Sequence, residues 1–73
     1  MFDVYFKYAD GNEILCKDIT KIEYSGSNGY VQVSGDQLLT TRFRISGDLF
    51  LLADDSNHTV TSKGLLHIQV TKK

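Results

Sequence analysis

The sequence predicts an all-β fold: a single small antiparallel domain of seven or eight short strands, arranged as a sandwich, a roll or a small barrel. Three observations support this prediction. Apolar and polar residues alternate with a period of two along most of the chain. Turn signals rich in glycine, aspartate and asparagine interrupt the alternation at short intervals. No segment keeps a helical period for three turns.

The first two predicted strands form a hairpin. Alternation over residues 2–9 places an apolar set on one face of a strand: Phe2, Val4, Phe6 and Tyr8. Asp10 and Gly11 follow, and this dipeptide is typical of tight hairpin turns because both residues tolerate positive φ. A return strand is predicted over residues 13–17.

A corner and a second hairpin are predicted next. Ile19 and Ile22 differ in parity, so one straight strand does not bury both, and we expect a kink or bulge near Asp18. Strands are predicted at residues 21–24 and 30–34, joined by a polar turn over residues 25–29.

Alternation predicts a long strand over residues 37–45. One face carries Leu39, Thr41, Phe43 and Ile45, and the other carries Leu38, Thr40, Arg42 and Arg44. Residues 49–53 are apolar on both faces, which favours a strand covered on both sides, with a short helix as the alternative. A short strand at 59–61 and a final strand ending near residue 70 complete the fold, and residues 72–73 are expected to fray.

Two segments of the chain resemble each other. Residues 12–24 align without gaps over residues 58–70, with Lys17 over Lys63 and Ile22 over Ile68 as the identical pairs. Each segment reads as strand, tight corner, strand, which predicts a second corner near Gly64. The similarity fits either convergence on a common connection or a pseudo-symmetric fold.

Composition limits the classes of function. The formal net charge of −1 disfavours strong non-specific binding to nucleic acid. Cys16 is the single cysteine, which excludes an internal disulfide and fits a reducing compartment, so we expect a cytoplasmic protein. No signal peptide and no membrane-spanning segment is expected. A domain of this length buries a marginal core, so a protein partner or a homo-oligomer is expected to add burial.

The sequence contains no recognisable catalytic motif and no expected metal or cofactor site. Cys16 alternates with Ile14, as a buried small apolar residue does, and nothing ties it to His58 or His67 as a base. Asp54, Asp55 and His58 match no metal-binding spacing and are interpreted as part of a solvated loop. We therefore expect a protein that is not an enzyme.

One candidate interaction face emerges from the alternation. It consists of Tyr5, Tyr30, Thr40, Arg42 and Arg44, all on positions predicted to face away from the core. Arginine beside exposed aromatic rings is typical of protein interfaces and of surfaces that stack single-stranded nucleic acid. A simply solvated face with arginine stems covering apolar surface is the first interpretation, ahead of a protein interface and then of nucleic acid.

One short stretch resembles a known family. Residues 18–33 combine an isoleucine-containing strand, a glycine-containing loop and Tyr30-Val31 at the start of the next strand, and so resemble a segment of LytTR-type bacterial DNA-binding domains. The resemblance covers under a quarter of the chain and includes none of the basic recognition residues near the C-terminal end of those domains. Hairpin chemistry alone accounts for the overlap, and the chain is not assigned to the family.

These observations favour a non-enzymatic accessory or protein-interaction module that self-associates. The alternative is a nucleic-acid-binding domain that uses the arginine and tyrosine face. The third hypothesis is an enzyme whose active site is assembled from residues distant in the sequence.

Overall fold

The chain folds into two antiparallel sheets and crosses from one to the other along its length. A computed structural model of the protein describes residues 1–26 and 28–73. Its strands and its one short helix, in chain order within these described ranges, are β1 (Phe2–Tyr8), β2 (Glu13–Ile19), β3 (Lys21–Gly26), β4 (Gly29–Ser34), α1 (Gln37–Thr40), β5 (Asp48–Leu52), β6 (Asn57–Thr61) and β7 (Leu65–Lys72). The predicted all-β class and the seven-strand count are confirmed for the described residues.

Strand order explains how the sheets meet. One sheet has the order β2-β1-β7 and the other has the order β4-β3-β5-β6, and each neighbouring pair is antiparallel. The hairpins β1–β2, β3–β4 and β5–β6 follow the predicted turns. Ser27, in the predicted polar turn over residues 25–29, lies outside the described residues.

The core lies between the two sheets. Alternate residues of β1 point inward, as their spacing predicts, and meet the inward residues of both sheets. The fully buried side chains of largest volume are Phe6, Ile19, Ile22, Leu38, Leu49, Leu51 and Val4. Since this apolar cluster spans both sheets, its burial is the main favourable contribution to folding.

The predicted corner near Asp18 is confirmed. Asp18 has a φ of 60°, and the register of β1 with β2 shifts between Phe2 and Val4. This bulge turns the chain, so that β2 ends in one sheet and β3 begins in the other after Thr20. Aspartate suits the position because its short polar side chain tolerates the left-handed region better than most residues.

The predicted corner near Gly64 is also confirmed. Gly64 has a φ of 76° and separates β6 of the four-stranded sheet from β7 of the three-stranded sheet. A register shift between Lys7 and Tyr8 marks a bulge on β7 beside it. The two corners are alike in kind, although β3 is an interior strand and β7 is an edge strand.

The long strand predicted over residues 37–45 is wrong in its first half. Residues Gln37–Thr40 form a single helical turn, in which Leu38 N donates to Gly35 O at 3.0 Å and Thr41 N donates to Gln37 O at 3.0 Å. These local hydrogen bonds pair the backbone N–H and C=O groups without a neighbouring strand. The helical turn buries Leu38, while Leu39 stays exposed. Alternating polarity in so short a segment did not distinguish the two conformations.

The second half of that segment keeps the alternation without joining a sheet. Phe43 and Ile45 pack against the core, whereas Arg42 and Arg44 are exposed. No residue from Thr41 to Ile45 belongs to a strand in the structure, which describes all five. Inward and outward alternation is therefore present, but the ladder hydrogen bonds that define a strand are not.

Residues 49–53 fall largely in a strand rather than a helix, within β5. Leu49 and Leu51 are fully buried, but Phe50 is 41% exposed. The expectation that both faces of this strand are covered is thus wrong, because only its inward face meets the opposite sheet.

The C-terminus is held rather than frayed. Lys72 ends β7 opposite Phe2, and Lys73 N donates to Met1 O at 3.1 Å. Lys73 Nζ also donates to Asp18 Oδ1 at 2.6 Å, which ties the end of the chain to the first corner. Within the described ranges, no helix has the length and apolar character needed to cross a membrane.

Candidate interaction surface

Tyr5 lies on the outer face of the three-stranded sheet. It is half-buried in β1, opposite Leu15 on one side and Gln69 on the other. Its hydroxyl donates a hydrogen bond to Glu13 Oε1, and its ring is 6.3 Å from that of His67. The hydrogen bond to the Glu13 carboxylate is the main cause that raises the pKa of Tyr5.

Tyr30 lies on the other sheet, at its β4 edge. Its hydroxyl donates to Glu23 Oε1, while Gln32 Nε2 donates to Glu23 Oε2 at 3.1 Å and Lys21 Nζ lies 3.3 Å from the same oxygen. The hydrogen bond from Tyr30 and the contact with Lys21 lower the pKa of Glu23, and the same Tyr30–Glu23 bond raises the pKa of Tyr30. Tyr5 and Tyr30 therefore do not share a sheet.

The prediction that Thr40, Arg42 and Arg44 share one face of a strand is wrong, because Thr40 belongs to α1 and the two arginines follow it outside any strand. Thr40 Oγ1 donates to Gln37 O at 3.3 Å, a contact within the helical turn. Arg42 and Arg44 are exposed, and neither guanidinium is within salt-bridge distance of a carboxylate in the part of the chain that the structure describes.

Arg44 lies near the hairpin that carries Tyr30. The Arg44 carbonyl oxygen is 3.3 Å from the position that a Cβ on Gly26 would take, and Gly26 pairs with Gly29, the residue before Tyr30. The structure thus places the backbone of Arg44 against the β3–β4 hairpin and leaves Tyr5 on the other sheet.

Sequence reasoning missed the apolar residues of β2. Leu15 is 54% exposed and Ile14 is 37% exposed, although both are large aliphatic side chains. The signal was present: within residues 13–17, Ile14 and Cys16 occupy one face and Leu15 occupies the other. An aliphatic residue on the predicted polar face of a strand is a candidate contact residue.

Within the described ranges, the backbone of β2 has no neighbouring strand on its outer side. β2 pairs with β1 alone among the strands of the described residues. Tyr8 N donates to Asn12 O at 2.9 Å, and bonded pairs alternate along an antiparallel ladder, so Ile14 is also bonded to β1. The N–H and C=O groups of Glu13 and Leu15 therefore point away from β1, toward the open edge.

The edge carries charges of both signs. Glu13, Lys17 and Asp18 are exposed along β2, on either side of Leu15. Charged side chains on an edge strand oppose indiscriminate pairing with other strands, and they also select a partner whose charges are complementary.

A shallow cavity lies at one end of this edge. Its volume is about 150 Å³, and it is lined by Tyr8, Asp10, Asn12, Ile14, Thr61 and Lys63. Ligand pockets commonly have volumes of about 300–1,000 Å³, so this cavity is small for a substrate.

Cys16 is a buried residue of β2, the strand that contributes Ile14 to the cavity. Its side chain is almost fully buried on the inward face, and this burial raises the pKa of its thiol. A thiol in such surroundings is held in its neutral form and is a poor nucleophile. In the described ranges, no three histidine, cysteine, aspartate or glutamate side chains group closely enough to hold a metal ion.

No protein-family model, curated protein or solved structure matches this chain.

Proposed function

We propose that this chain is a non-enzymatic protein-interaction module that associates with copies of itself through the β2 edge. One observation carries the proposal. Two large aliphatic side chains, Ile14 and Leu15, are exposed on a strand whose outward backbone groups have no partner among the described residues. Unpaired edges that also expose apolar side chains are the usual sites of strand addition.

The size of the domain supports self-association. A chain of 73 residues buries a small core. Association buries further surface and so raises the stability of the folded state. The chain has no proline to guard its edges, so charge and bulges are the protection that remains.

Sedimentation velocity over a wide range of concentrations tests this function. We expect the sedimentation coefficient to rise from the monomer value as concentration increases. Leu15→Ser should weaken the association, because it removes apolar surface from the edge without changing charge. Leu66→Ser is the matched control, since Leu66 is 69% exposed but lies on β7. A monomer at every concentration would contradict the proposal.

A second candidate function is binding of single-stranded nucleic acid by Tyr30, Arg42 and Arg44. The observation that favours it is that both arginines are exposed without a carboxylate partner in the described ranges, and that the backbone of Arg44 lies against the hairpin that carries the exposed Tyr30. Binding of a labelled oligonucleotide should then weaken steeply with added salt and on Arg42→Ala with Arg44→Ala. Absence of binding at low salt removes this candidate.

A further inference from the structure

We infer that β2 pairs with β2 of a second copy in antiparallel orientation, with Leu15 on the two-fold axis. This inference rests on the proposed function and specifies the surface and the register that it uses. The three-stranded sheets of the two copies then form one continuous sheet of six strands, in the order β7-β1-β2-β2-β1-β7. An isologous interface of this kind is self-complementary by symmetry.

Charge is the first reason for this register. When Leu15 lies opposite its own counterpart, Glu13 of each copy lies opposite Lys17 of the other. The symmetry produces this pair of opposite charges twice. Opposite charges placed directly across two strands stabilise the pairing, and like charges oppose it.

Apolar burial is the second reason. The same register places Ile14 opposite Cys16 of the second copy and Leu15 opposite Leu15. Ile14 and Cys16 both follow the inward alternation of β2, so each apolar side chain meets another on the same face. The exposed surface of Ile14 and Leu15 is covered in this way.

Backbone geometry is the third reason. The N–H and C=O groups of Glu13 and Leu15 point toward the open edge of β2, as derived from the bond between Tyr8 N and Asn12 O. Leu15 and its counterpart can therefore exchange both of their hydrogen bonds across the axis.

Neighbouring registers lack these matches. Centring the pairing on Ile14 places Glu13 opposite Leu15, and centring it on Cys16 places Lys17 opposite Leu15, so neither forms the Glu13–Lys17 pair. A shift that pairs Ile14 with Leu15 joins opposite faces of the strand.

The other edges of the two sheets do not offer the same complementarity. β4 and β6 contain no aspartate, glutamate, lysine or arginine, and β7 contains Lys72 but no carboxylate. Lys72 Nζ is also 3.1 Å from Asp36 Oδ1 within the chain. Among the strands of the described ranges that end a sheet, β2 alone carries both signs of charge.

The paired surface is small, and this area determines how strong the dimer is expected to be. Five residues per strand cover less area than the roughly 1,200 Å² typical of stable complexes. We therefore expect a weak, reversible dimer rather than a permanent one.

Charge reversal with rescue tests the register. Lys17→Glu places two carboxylates opposite each other twice, and we expect it to weaken dimerisation about tenfold. Combining it with Glu13→Lys should restore dimerisation to within about threefold of the wild type, because the pair is re-formed with reversed polarity. Arg42→Glu is the matched control, because it makes the same charge change on the exposed segment after α1 and should leave dimerisation unchanged. Far-UV circular dichroism of each variant checks that it is folded.

Cross-linking tests the position of the axis independently. In a Cys16→Ala background, Leu15→Cys should form an intermolecular disulfide under mild oxidation, since directly opposed residues of a bonded pair have Cα atoms about 5.5 Å apart. Glu13→Cys is the control, because each Glu13 lies opposite Lys17 and is too far from its own counterpart to form a disulfide.

The outcomes separate the two levels of the proposal. Three results would contradict this pairing while leaving self-association in place. They are an unchanged dimerisation constant in Lys17→Glu, no recovery in the double reversal, and equally efficient cross-linking through Glu13→Cys. A wild-type chain that stays monomeric at all concentrations contradicts the proposed function itself.

Discussion

At the residue scale, burial controls the chemistry of Cys16. The side chain packs in the core and its thiol pKa is raised by burial, so the reactive thiolate is scarce at neutral pH. We expect a thiol reagent to modify the native protein slowly at pH 8 and the urea-unfolded protein rapidly. Equal rates in both states, measured by absorbance of the released chromophore, would contradict the buried position.

Asp18 links the first corner to the C-terminus and should affect stability in acid. The hydrogen bond and charge of Lys73 lower the pKa of Asp18, so the folded state binds this proton less tightly than the unfolded state does. The stabilising contribution is therefore complete above the unfolded pKa of about 3.9 and is lost as pH falls through the lower folded value.

Asp18→Asn should make stability depend less steeply on pH below about pH 4, because it removes the titrating group. Asparagine also tolerates the left-handed backbone, so the corner is kept. Urea unfolding at pH 7 and at pH 3 measures the difference, with Asp55→Asn, in the exposed loop between β5 and β6, controlling for net charge. An unchanged dependence in Asp18→Asn would contradict the contact with Lys73.

At the element scale, the alternation of apolar and polar residues predicted the structure correctly where the segment also pairs with neighbouring strands. The alternation of β1 predicted both its strand and its inward face, because pairing on both sides holds it extended. The parity change between Ile19 and Ile22 predicted the first corner for a geometric reason, since one straight strand does not bury both.

Prediction failed where tertiary context decided the outcome. Residues 37–45 alternate in polarity, yet their backbone forms a helical turn and then an extended segment outside any sheet. Sequence alone does not determine whether a neighbouring strand is available to pair, or which face of β5 is covered. The candidate face likewise grouped Tyr5 with Tyr30, because alternation shows that a residue faces outward but does not show from which sheet.

The extended segment after α1 should contribute to stability through Phe43. Its ring is 5.6 Å from that of Tyr24 and packs against the core, so Phe43→Ala should lower the free energy of unfolding by about 2 kcal/mol. Arg42→Ala, on the exposed side of the same segment, should change it by less than about 0.5 kcal/mol. Equal effects in urea unfolding would contradict the alternation assigned to this segment.

The corner before β7 should depend on the backbone of Gly64. With a φ of 76°, Gly64→Ala should cost about 1–2 kcal/mol of stability. Apart from Gly64 and its two chain neighbours, no heavy atom of the described residues lies within 4 Å of the position of an added Cβ, so the cost is conformational rather than steric. Gly64→Asn should cost less, because asparagine tolerates this region, and a larger loss with asparagine in thermal unfolding would contradict this explanation.

At the scale of the whole molecule, a small two-sheet core coexists with an open edge. Alternation directs enough apolar side chains inward to build that core, and it leaves Leu15 outside it on β2. In a domain of this size, association through such an edge adds burial that the chain alone does not provide. The proposed function joins the marginal core and the exposed strand in one explanation.

Association through β2 should be visible in the hydrogen exchange of the Leu15 amide, measured by NMR at low and at high protein concentration. We expect this amide to exchange quickly in dilute solution, where it faces solvent, and to become protected as β2 pairs with a second copy. The Ile14 amide, which bonds to β1, should be protected at both concentrations and serves as the internal reference. Fast exchange of the Leu15 amide at every concentration, beside a protected Ile14, would contradict association through β2.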